Sequence, residues 1–324
     1  MTLTSDLLTI SELSCGTART AVLAPGQGAQ KPGMLLPWLS PDVERRLDRW
    51  SRICGIDLIR LGTTAEAGEL VDTAITQPLV VATALVVSES LEATGMLSAD
   101  TLVAGHSVGE LAAAAVAGVL SAEDAIAVAA VRGKAMAAAC ELESTGMSAI
   151  VGGDPVEVCD RIARLGLVPA NRNGAGQIVA AGRSAALQEL SAAPPAGAKV
   201  VKLPVAGAFH THFMEPAREA LAAAAATVAV ADPIRPLLSN SDGRQVRSGS
   251  EALAKIVAQL TAPVRWDLCM AAIAAAEASV VIELAPAGTL TGMVRRELPD
   301  VARHALKTPE NLAAMAEAYG GTGR

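Results

Sequence analysis

The stretch that decides the fold is LVAGHSVGELAAAAVA, which runs from Leu102 to Ala117. Its first residues are apolar and fit a buried strand. Residues 105 to 109 read GHSVG, and an alanine-rich run follows with no helix breaker before Gly118. A strand, a sharp turn and a helix in this order predict the nucleophile elbow that exposes a serine at the edge of a sheet. The two glycines allow the turn to close because they carry no Cβ.

Ser107 stands at the centre of this turn, where the free N–H groups and the positive dipole end of the following helix favour negative charge. A second loop, residues 25–30, follows a predicted strand over residues 18–24 and offers further backbone N–H groups, as an oxyanion hole requires. An ordinary structural turn is the alternative. A dinucleotide or phosphate loop is disfavoured, because Lys31 occupies the position of the third glycine in GxGxxG.

Composition limits the classes of protein that fit. A length of 324 residues suits one large domain with an insertion, or two domains. The net charge of -7 argues against general binding to nucleic acid or to an anionic membrane. The longest apolar run, residues 78–87, is shorter than the roughly 20 residues of a membrane span. It begins with Pro78, which predicts a helix that starts there after a polar loop over residues 72–77. Five cysteines without a CxxC pair predict reduced thiols and a cytoplasmic protein.

The order of the predicted elements divides the chain into three parts. Residues 1–17 lack the features of a signal peptide and are expected to be a flexible extension. Residues 18–145 and 205–324 alternate strands with helices, which predicts a parallel sheet in an α/β-hydrolase-like core. Residues 146–204 follow the order β-α-β-β-α-β, which predicts an inserted ferredoxin-like subdomain.

A serine nucleophile needs a base, and the chain has four histidines that could supply one. His210 leaves an apolar segment just before a predicted helix, which gives it a fixed position. His212 is expected to be solvated, and His106 is too close in sequence to Ser107 to approach its hydroxyl well. The His-x-His pair has no third ligand nearby, so no metal site is predicted.

Arg132 is the only charged residue between Asp124 and Lys134, and its neighbours are mainly Ala, Val and Met. This setting predicts a buried guanidinium, which requires a carboxylate or phosphate partner. The alternative is a surface arginine whose aliphatic stem packs on the helix while its charged end is solvated.

Several motifs together resemble the malonyl-CoA:acyl carrier protein transacylases, in a form similar to the actinobacterial members. They extend over about residues 18–310 and comprise GQGAQ (26–30), GHSVGE (105–110), VRGKAM (131–136), NRNGAGQIVAAG (171–182), GAFH (207–210), APVRWD (262–267) and ELAPAGTLTGM (283–293).

The resemblance implies a role for each matching residue. Ser107 would be the nucleophile and His210 its base, with the imidazole oriented by the backbone carbonyl near Arg265. The backbone N–H groups of Gln27 and Val108 would form the oxyanion hole. Arg132 would bind the malonyl carboxylate, and Phe209 would exclude an α-methyl group. The pocket would also be lined by His106 and Asn173.

The implied activity is transfer of a malonyl group from malonyl-CoA to the phosphopantetheine thiol of acyl carrier protein, by a ping-pong mechanism and without a cofactor. The partner would be the carrier protein, with no nucleic acid and no membrane. The alternative is a serine esterase or thioesterase on a similar turn, which would use water as acceptor and a third, acidic residue. Candidates for that acid are Glu141, Glu143 and Asp154.

Overall fold

The computed structural model describes residues 19–320, so the predicted extension over residues 1–17 lies outside the described residues. The strands are β1 (Arg19–Ala24), β2 (Leu102–Gly105), β3 (Thr145–Gly152), β4 (Val168–Gly174), β5 (Gln177–Arg183), β6 (Ala198–Lys202), β7 (Val264–Arg265), β8 (Ala278–Glu283) and β9 (Ala302–Ala305). The α-helices are α1 (Pro41–Cys54), α2 (Leu58–Thr63), α3 (Thr73–Glu92), α4 (Gly109–Val116), α5 (Ala122–Cys140), α6 (Pro155–Arg164), α7 (Ser184–Ala192), α8 (Arg218–Ala225), α9 (Gly249–Ala258), α10 (Trp266–Ala275), α11 (Thr289–Glu297) and α12 (Pro309–Gly320). Short 3-10 helices cover Leu36–Trp38, Glu69–Val71 and His212–Ala217.

The first sheet is parallel and has the strand order β2-β1-β8-β9. Residues of β1 point alternately into two hydrophobic clusters: Val22 and Ala24 pack with helices α3, α4 and α5, while Ala21 and Leu23 pack with α10 and α11. Burial on both faces is typical of a parallel sheet covered by helices on both sides. The predicted α/β class with a parallel sheet is therefore confirmed.

Helix α3 lies in the centre of the larger cluster. It is long and apolar enough to cross a membrane, but 78% of its apolar window is buried inside the protein. It begins at Thr73, capped by the side chain of Asp72, and not at Pro78 as its sequence suggests. The residues before Pro78 pack closely against α5 at Gly133, where a Cβ would lie only 2.7 Å from the Thr73 carbonyl oxygen. This close packing stabilises the first turn of α3 although Pro78 removes a helical hydrogen bond.

The second sheet has the strand order β6-β3-β5-β4-β7. Strands β3, β4, β5 and β6 pair antiparallel, and α6 and α7 connect them in the order β-α-β-β-α-β. The short strand β7 comes from outside residues 146–204 and pairs parallel with β4, with Asn171 opposite Val264. This pairing joins the inserted unit to the segment that leads into α10, and it brings the β4 side chains next to the end of β2.

Candidate active site

The turn after β2 holds Ser107 in a left-handed backbone conformation, with a φ of 55°. A side chain other than glycine rarely adopts this conformation, so the surrounding contacts must hold it. The backbone packs tightly here, because a Cβ on Gly105 would lie 2.1 Å from the carbonyl carbon of Gly109, and one on Gly109 would lie 2.4 Å from the Ala24 carbonyl oxygen. The small residues at both positions are therefore a steric requirement of the turn.

The structure brings Ser107 and His210 into direct contact, with 2.7 Å between the serine Oγ and the imidazole Nε2. On the other side of the ring, Nδ1 lies 2.8 Å from the backbone carbonyl oxygen of Gln259. A carbonyl can only accept a hydrogen bond, so Nδ1 carries the proton and Nε2 is free to accept the serine proton. Burial, together with the nearby charge of Arg132, lowers the pKa of His210 to about 3, so the imidazole is neutral at neutral pH.

The prediction that the backbone near Arg265 orients the imidazole is wrong, because Gln259 supplies that carbonyl. Gln259 caps the C-terminus of α9, where the last carbonyl groups of a helix have no partner within the helix and remain free to accept. Arg265 instead lies in β7, where its N–H donates to the Asn240 carbonyl and its guanidinium pairs with Asp267 at 2.9 Å.

Arg132 extends from α5 toward the same site and is 1% exposed. Its Nη1 donates to Oε1 of Gln77 at 2.7 Å, and its Nη2 donates to Oε1 of Gln259 at 3.0 Å. No acceptor for its Nε–H is found in residues 19–320. Burial lowers the pKa of Arg132 to about 10, so the guanidinium stays charged at neutral pH. Both direct partners are neutral amides, which leaves the positive charge available to an anion.

His106 and Asn173 also meet, as expected for residues that line one pocket. The imidazole Nε2 of His106 lies 3.0 Å from Oδ1 of Asn173, whose Nδ2 donates to Gln177 at 3.2 Å. The ring of His106 packs edge-on against Trp266, with 5.4 Å between the centroids. Burial lowers the pKa of His106, so this ring is a neutral hydrogen-bonding group.

Phe209 is buried in the larger hydrophobic cluster, immediately before His210 in the chain. Its predicted effect on substrate size stays a prediction. Within residues 19–320, no cluster of three His, Cys, Asp or Glu side chains could hold a metal ion. His212 stacks on the ring of Phe213 at 4.2 Å instead.

The loop that contains Gln27 packs against the turn at Ser107, since a Cβ on Gly26 would lie 2.4 Å from the His106 carbonyl oxygen. The side chain of Gln27 is tied to Thr73 at 3.0 Å. Among the described residues, none accepts a hydrogen bond from the backbone N–H of Gln27 or of Val108. One of these two uncommitted donors is next to Ser107 in the chain and the other lies in the loop that packs on the same turn, an arrangement compatible with an oxyanion hole.

Four polar residues of the site were not identified in the sequence. They form its inner hydrogen-bond network and are Gln77, Glu110, Asn240 and Gln259. The available signal was that Glu110 directly follows the GHSVG motif and that Asn240 lies in the polar run SNSDG. No spacing rule connects Gln77 and Gln259 with Arg132, because these contacts join residues 55 and 127 positions apart.

Comparisons with known proteins agree with this geometry. Residues 22–313 match the family model described as acyl transferase domain. The protein named malonyl CoA-acyl carrier protein transacylase from Mycobacterium tuberculosis (strain ATCC 25618 / H37Rv) is 53% identical over 298 residues, which cover 91% of this chain and 99% of that protein.

Two solved structures are also similar. The crystal structure of MCAT from Mycobacterium tuberculosis has a TM-score of 0.90 at 53% identity and covers 92% of this chain and 99% of its own. A malonyl-transacylase in complex with its type II PKS acyl-carrier protein has a TM-score of 0.86 at 28% identity, and the match covers 93% of this chain and 100% of that chain. The extent of these matches shows that the chain belongs to the acyl transferase domain family, among the malonyl-CoA:acyl carrier protein transacylases.

Proposed function

We propose that this protein transfers the malonyl group of malonyl-CoA to the phosphopantetheine thiol of acyl carrier protein, through a malonyl ester on Ser107. The observation that carries the proposal is the buried, charged guanidinium of Arg132, whose direct hydrogen-bond partners among residues 19–320 are neutral amides, beside the contact between Ser107 and His210. The charge of Glu110 acts on it without direct contact, so a substrate whose acyl chain ends in a carboxylate supplies an anion that can bond to it directly. The names of the relatives point to the same reaction.

In the first half-reaction the Ser107 hydroxyl attacks the thioester carbonyl, and Nε2 of His210 takes its proton. The oxyanion that forms accepts from the backbone N–H groups of Gln27 and Val108. The C–S bond then breaks, the imidazolium returns its proton to the CoA sulfur, and the malonyl ester of Ser107 remains. The Gln259 carbonyl holds the imidazole in the tautomer that both proton transfers need.

In the second half-reaction the phosphopantetheine thiol of the carrier protein enters in place of CoA. Its proton passes to His210 as the sulfur attacks the ester, and the proton returns to the Ser107 oxygen as the C–O bond breaks. Ping-pong kinetics follow, because CoA leaves before the carrier thiol reacts. Every proton and electron pair is accounted for by these groups, so the reaction needs no cofactor.

We further propose that the strained turn at Ser107 is a nucleophile elbow and that the core, residues 18–145 and 205–324, is α/β-hydrolase-like. The inserted unit, residues 146–204, would be a ferredoxin-like subdomain, which is consistent with its strand order β6-β3-β5-β4. Its β4 contributes Asn173 to the pocket that also contains His106. Free thiols at the described cysteines fit a reducing, cytoplasmic location.

The carrier protein would dock at the mouth of this pocket. Arg172 is next to Asn173, and Glu297 accepts from the N–H of Ala175, which brings the end of α11 and its exposed Arg296 beside the same turn. Arg183, at the other end of β5, is paired with Glu143. A local group of arginines would offset the overall charge of -7 for an acidic carrier protein.

The alternative, a serine esterase or thioesterase, has less support. Such an enzyme orients its histidine with an acidic side chain. Here Nδ1 of His210 is engaged by the Gln259 carbonyl, and not by Glu141, Glu143 or Asp154.

Intact-mass measurement after addition of acyl-CoA tests the proposal. Malonyl-CoA should leave a stable malonyl adduct that is lost on addition of holo carrier protein and absent from Ser107→Ala. Acetyl-CoA should label the protein far more slowly. Rapid hydrolysis of the adduct without carrier protein would instead favour the thioesterase.

A further inference from the structure

Glu110 is a carboxylate buried directly behind the turn at Ser107, and the mechanism above gives it no role. It is 4% exposed. Its Oε1 accepts from the backbone N–H of Asn240 and its Oε2 accepts from Nε2 of Gln259, both at 2.6 Å. Short bonds to an ionised acceptor are the stronger kind of hydrogen bond. Each of the two partners contacts a different part of the active site.

Asn240 holds both sides of the turn. Its Oδ1 accepts from the backbone N–H of Ser107 at 2.8 Å, and its Nδ2 donates to the Gly105 carbonyl at 2.8 Å. These two bonds help to fix Ser107 in the left-handed conformation that aims its hydroxyl at His210. The carboxylate of Glu110 accepts from the backbone N–H of Asn240 and so holds Asn240 in the position from which it makes these two bonds.

Gln259 connects Glu110 to the other two groups. The two ends of a side-chain amide have opposite hydrogen-bonding character, so a carboxylate at Nε2 leaves Oε1 to face a donor. Oε1 of Gln259 accepts from Arg132, while its backbone carbonyl accepts from His210. Nε2 of Gln259 also donates to Oδ1 of Asn240 at 3.1 Å and to the Ser107 carbonyl oxygen at 3.4 Å, and the bond to the carboxylate is the shortest of the three. Loss of that bond would weaken the hold on the amide orientation that faces Oε1 toward the guanidinium.

We propose that Glu110 is a positioning residue, whose ionised carboxylate holds Asn240 and Gln259 and, through them, the serine, the imidazole and the guanidinium of the transfer reaction. The inference rests on the proposed function, because the position of the guanidinium matters only for a substrate with a carboxylate. The backbone N–H of Asn240 and Nε2 of Gln259 both donate to Glu110, and a hydrogen bond from the side chain of Ser239 also favours the charged form, so the ionised carboxylate matches its neighbours. A protonated carboxyl would turn one oxygen into a donor that faces a donor.

The charge state of Glu110 is sensitive to pH. Burial raises its pKa to about 7, although the bond from Asn240 and the charges of Arg132 and Lys255 act in the opposite direction. From α10, the Cys269 thiol also faces this carboxylate, and its own pKa is raised by burial and by the charge of Glu110. The imidazole of His210 does not titrate near neutral pH, since its pKa is lowered to about 3. A change in acyl selectivity near pH 7 would thus report on Glu110.

The test compares the rates of malonyl and acetyl adduct formation, followed by intact mass, in wild type and Glu110→Gln. The variant keeps the shape of the side chain but has one carbonyl oxygen for two donors. We expect the malonyl rate to fall by about 10- to 100-fold, the effect of leaving one buried donor unpaired, and the acetyl rate to fall less. The malonyl preference of wild type should decrease below about pH 7, and this pH dependence should be absent from the variant.

Glu283→Gln is the matched control. Glu283 is also fully buried and accepts from the N–H groups of Gly288, Leu290 and Thr291, without contact to Ser107 or His210. This control should retain the wild-type preference and its pH dependence. Glu110→Asp, which keeps the negative charge, should recover part of both.

A Glu110→Gln variant with the wild-type preference and pH dependence would overturn the proposal. If the variant does not fold, wild type alone decides, because a preference that is constant from about pH 5.5 to about pH 8.5 also overturns it. Failure of the proposed function is distinct, since wild type would then form no malonyl adduct at any pH or would lose it rapidly to water without carrier protein.

Discussion

Replacement of Arg132 by alanine should remove selectivity for malonyl-CoA and leave the serine reactive. The guanidinium makes two hydrogen bonds to neutral amide oxygens, and no carboxylate of residues 19–320 is in direct contact with it. A malonyl carboxylate would add two charge-assisted bonds, each contributing about 1.5 to 3 kcal/mol. Their combined loss of roughly 3 to 6 kcal/mol corresponds to a decrease of about 10² to 10⁴ in kcat/KM for malonyl-CoA.

Acetyl-CoA has no carboxylate, so its kcat/KM should change by less than about tenfold in the same variant, because Ser107 and His210 remain in contact. Stopped-flow detection of released CoA, with both acyl-CoAs and with wild type in parallel, provides the two values. Their ratio is the quantity of interest, since a general loss of folded protein lowers both values equally.

Arg235→Ala serves as the control variant. Arg235 is likewise anchored by its guanidinium, which bonds to the carbonyls of Ser98 and Val116 and pairs with Glu92, and its side chain is 10% exposed. We expect the control to retain the malonyl-to-acetyl ratio of wild type. An unchanged ratio in Arg132→Ala would refute the assignment of Arg132 to the malonyl carboxylate.

Three further predictions follow from the geometry. Gly105→Ala should lower the free energy of unfolding by about 3 kcal/mol or more in urea titrations, because its Cβ would lie 2.1 Å from Gly109. Gly68→Ala, which has open space around it, should have little effect. An NMR titration of labelled histidine should show a higher pKa for His210 in Arg132→Ala than in wild type, since loss of a nearby positive charge favours protonation. An unchanged pKa would contradict this prediction. Charge reversal at Arg172 and Arg296 should weaken the carrier protein's apparent affinity and its salt dependence, and an unaffected affinity would mean that docking occurs elsewhere. Charge reversal at Arg183, which pairs with Glu143 at the other end of β5, should have a smaller effect.

The strand and helix around Ser107 could be predicted because their signals are local. An apolar strand, two glycines and an alanine-rich helix lie within 16 residues. The start of α5 is marked by an equally local signal, because the side chain of Ser121 accepts from the N–H of Asp124. Arg132 was predictable for a related reason, since one charge in a run of small apolar residues indicates burial. The sequence favoured but did not prove a base at His210, because only the fold brings it across 103 residues to the serine.

The interior network could not be predicted, because its members are ordinary polar residues until the chain folds. Gln77 was assigned to a polar loop, yet it lies in α3 and faces Arg132, since packing against Gly133 extends that helix. The carbonyl that orients His210 depends on where α9 ends and on the path of the chain after it. Backbone carbonyls carry no sequence signature, which is why Arg265 was assigned in place of Gln259.

The amide contacts of Arg132 have a consequence for turnover. A carboxylate in their place would compete with every incoming malonyl group, and each catalytic cycle would have to break an ion pair before it could begin. Gln77 and Gln259 keep the guanidinium in position when no substrate is bound, and they do not oppose a carboxylate that arrives. When the malonyl group departs on the carrier, the same two contacts still hold the guanidinium in position for the next substrate.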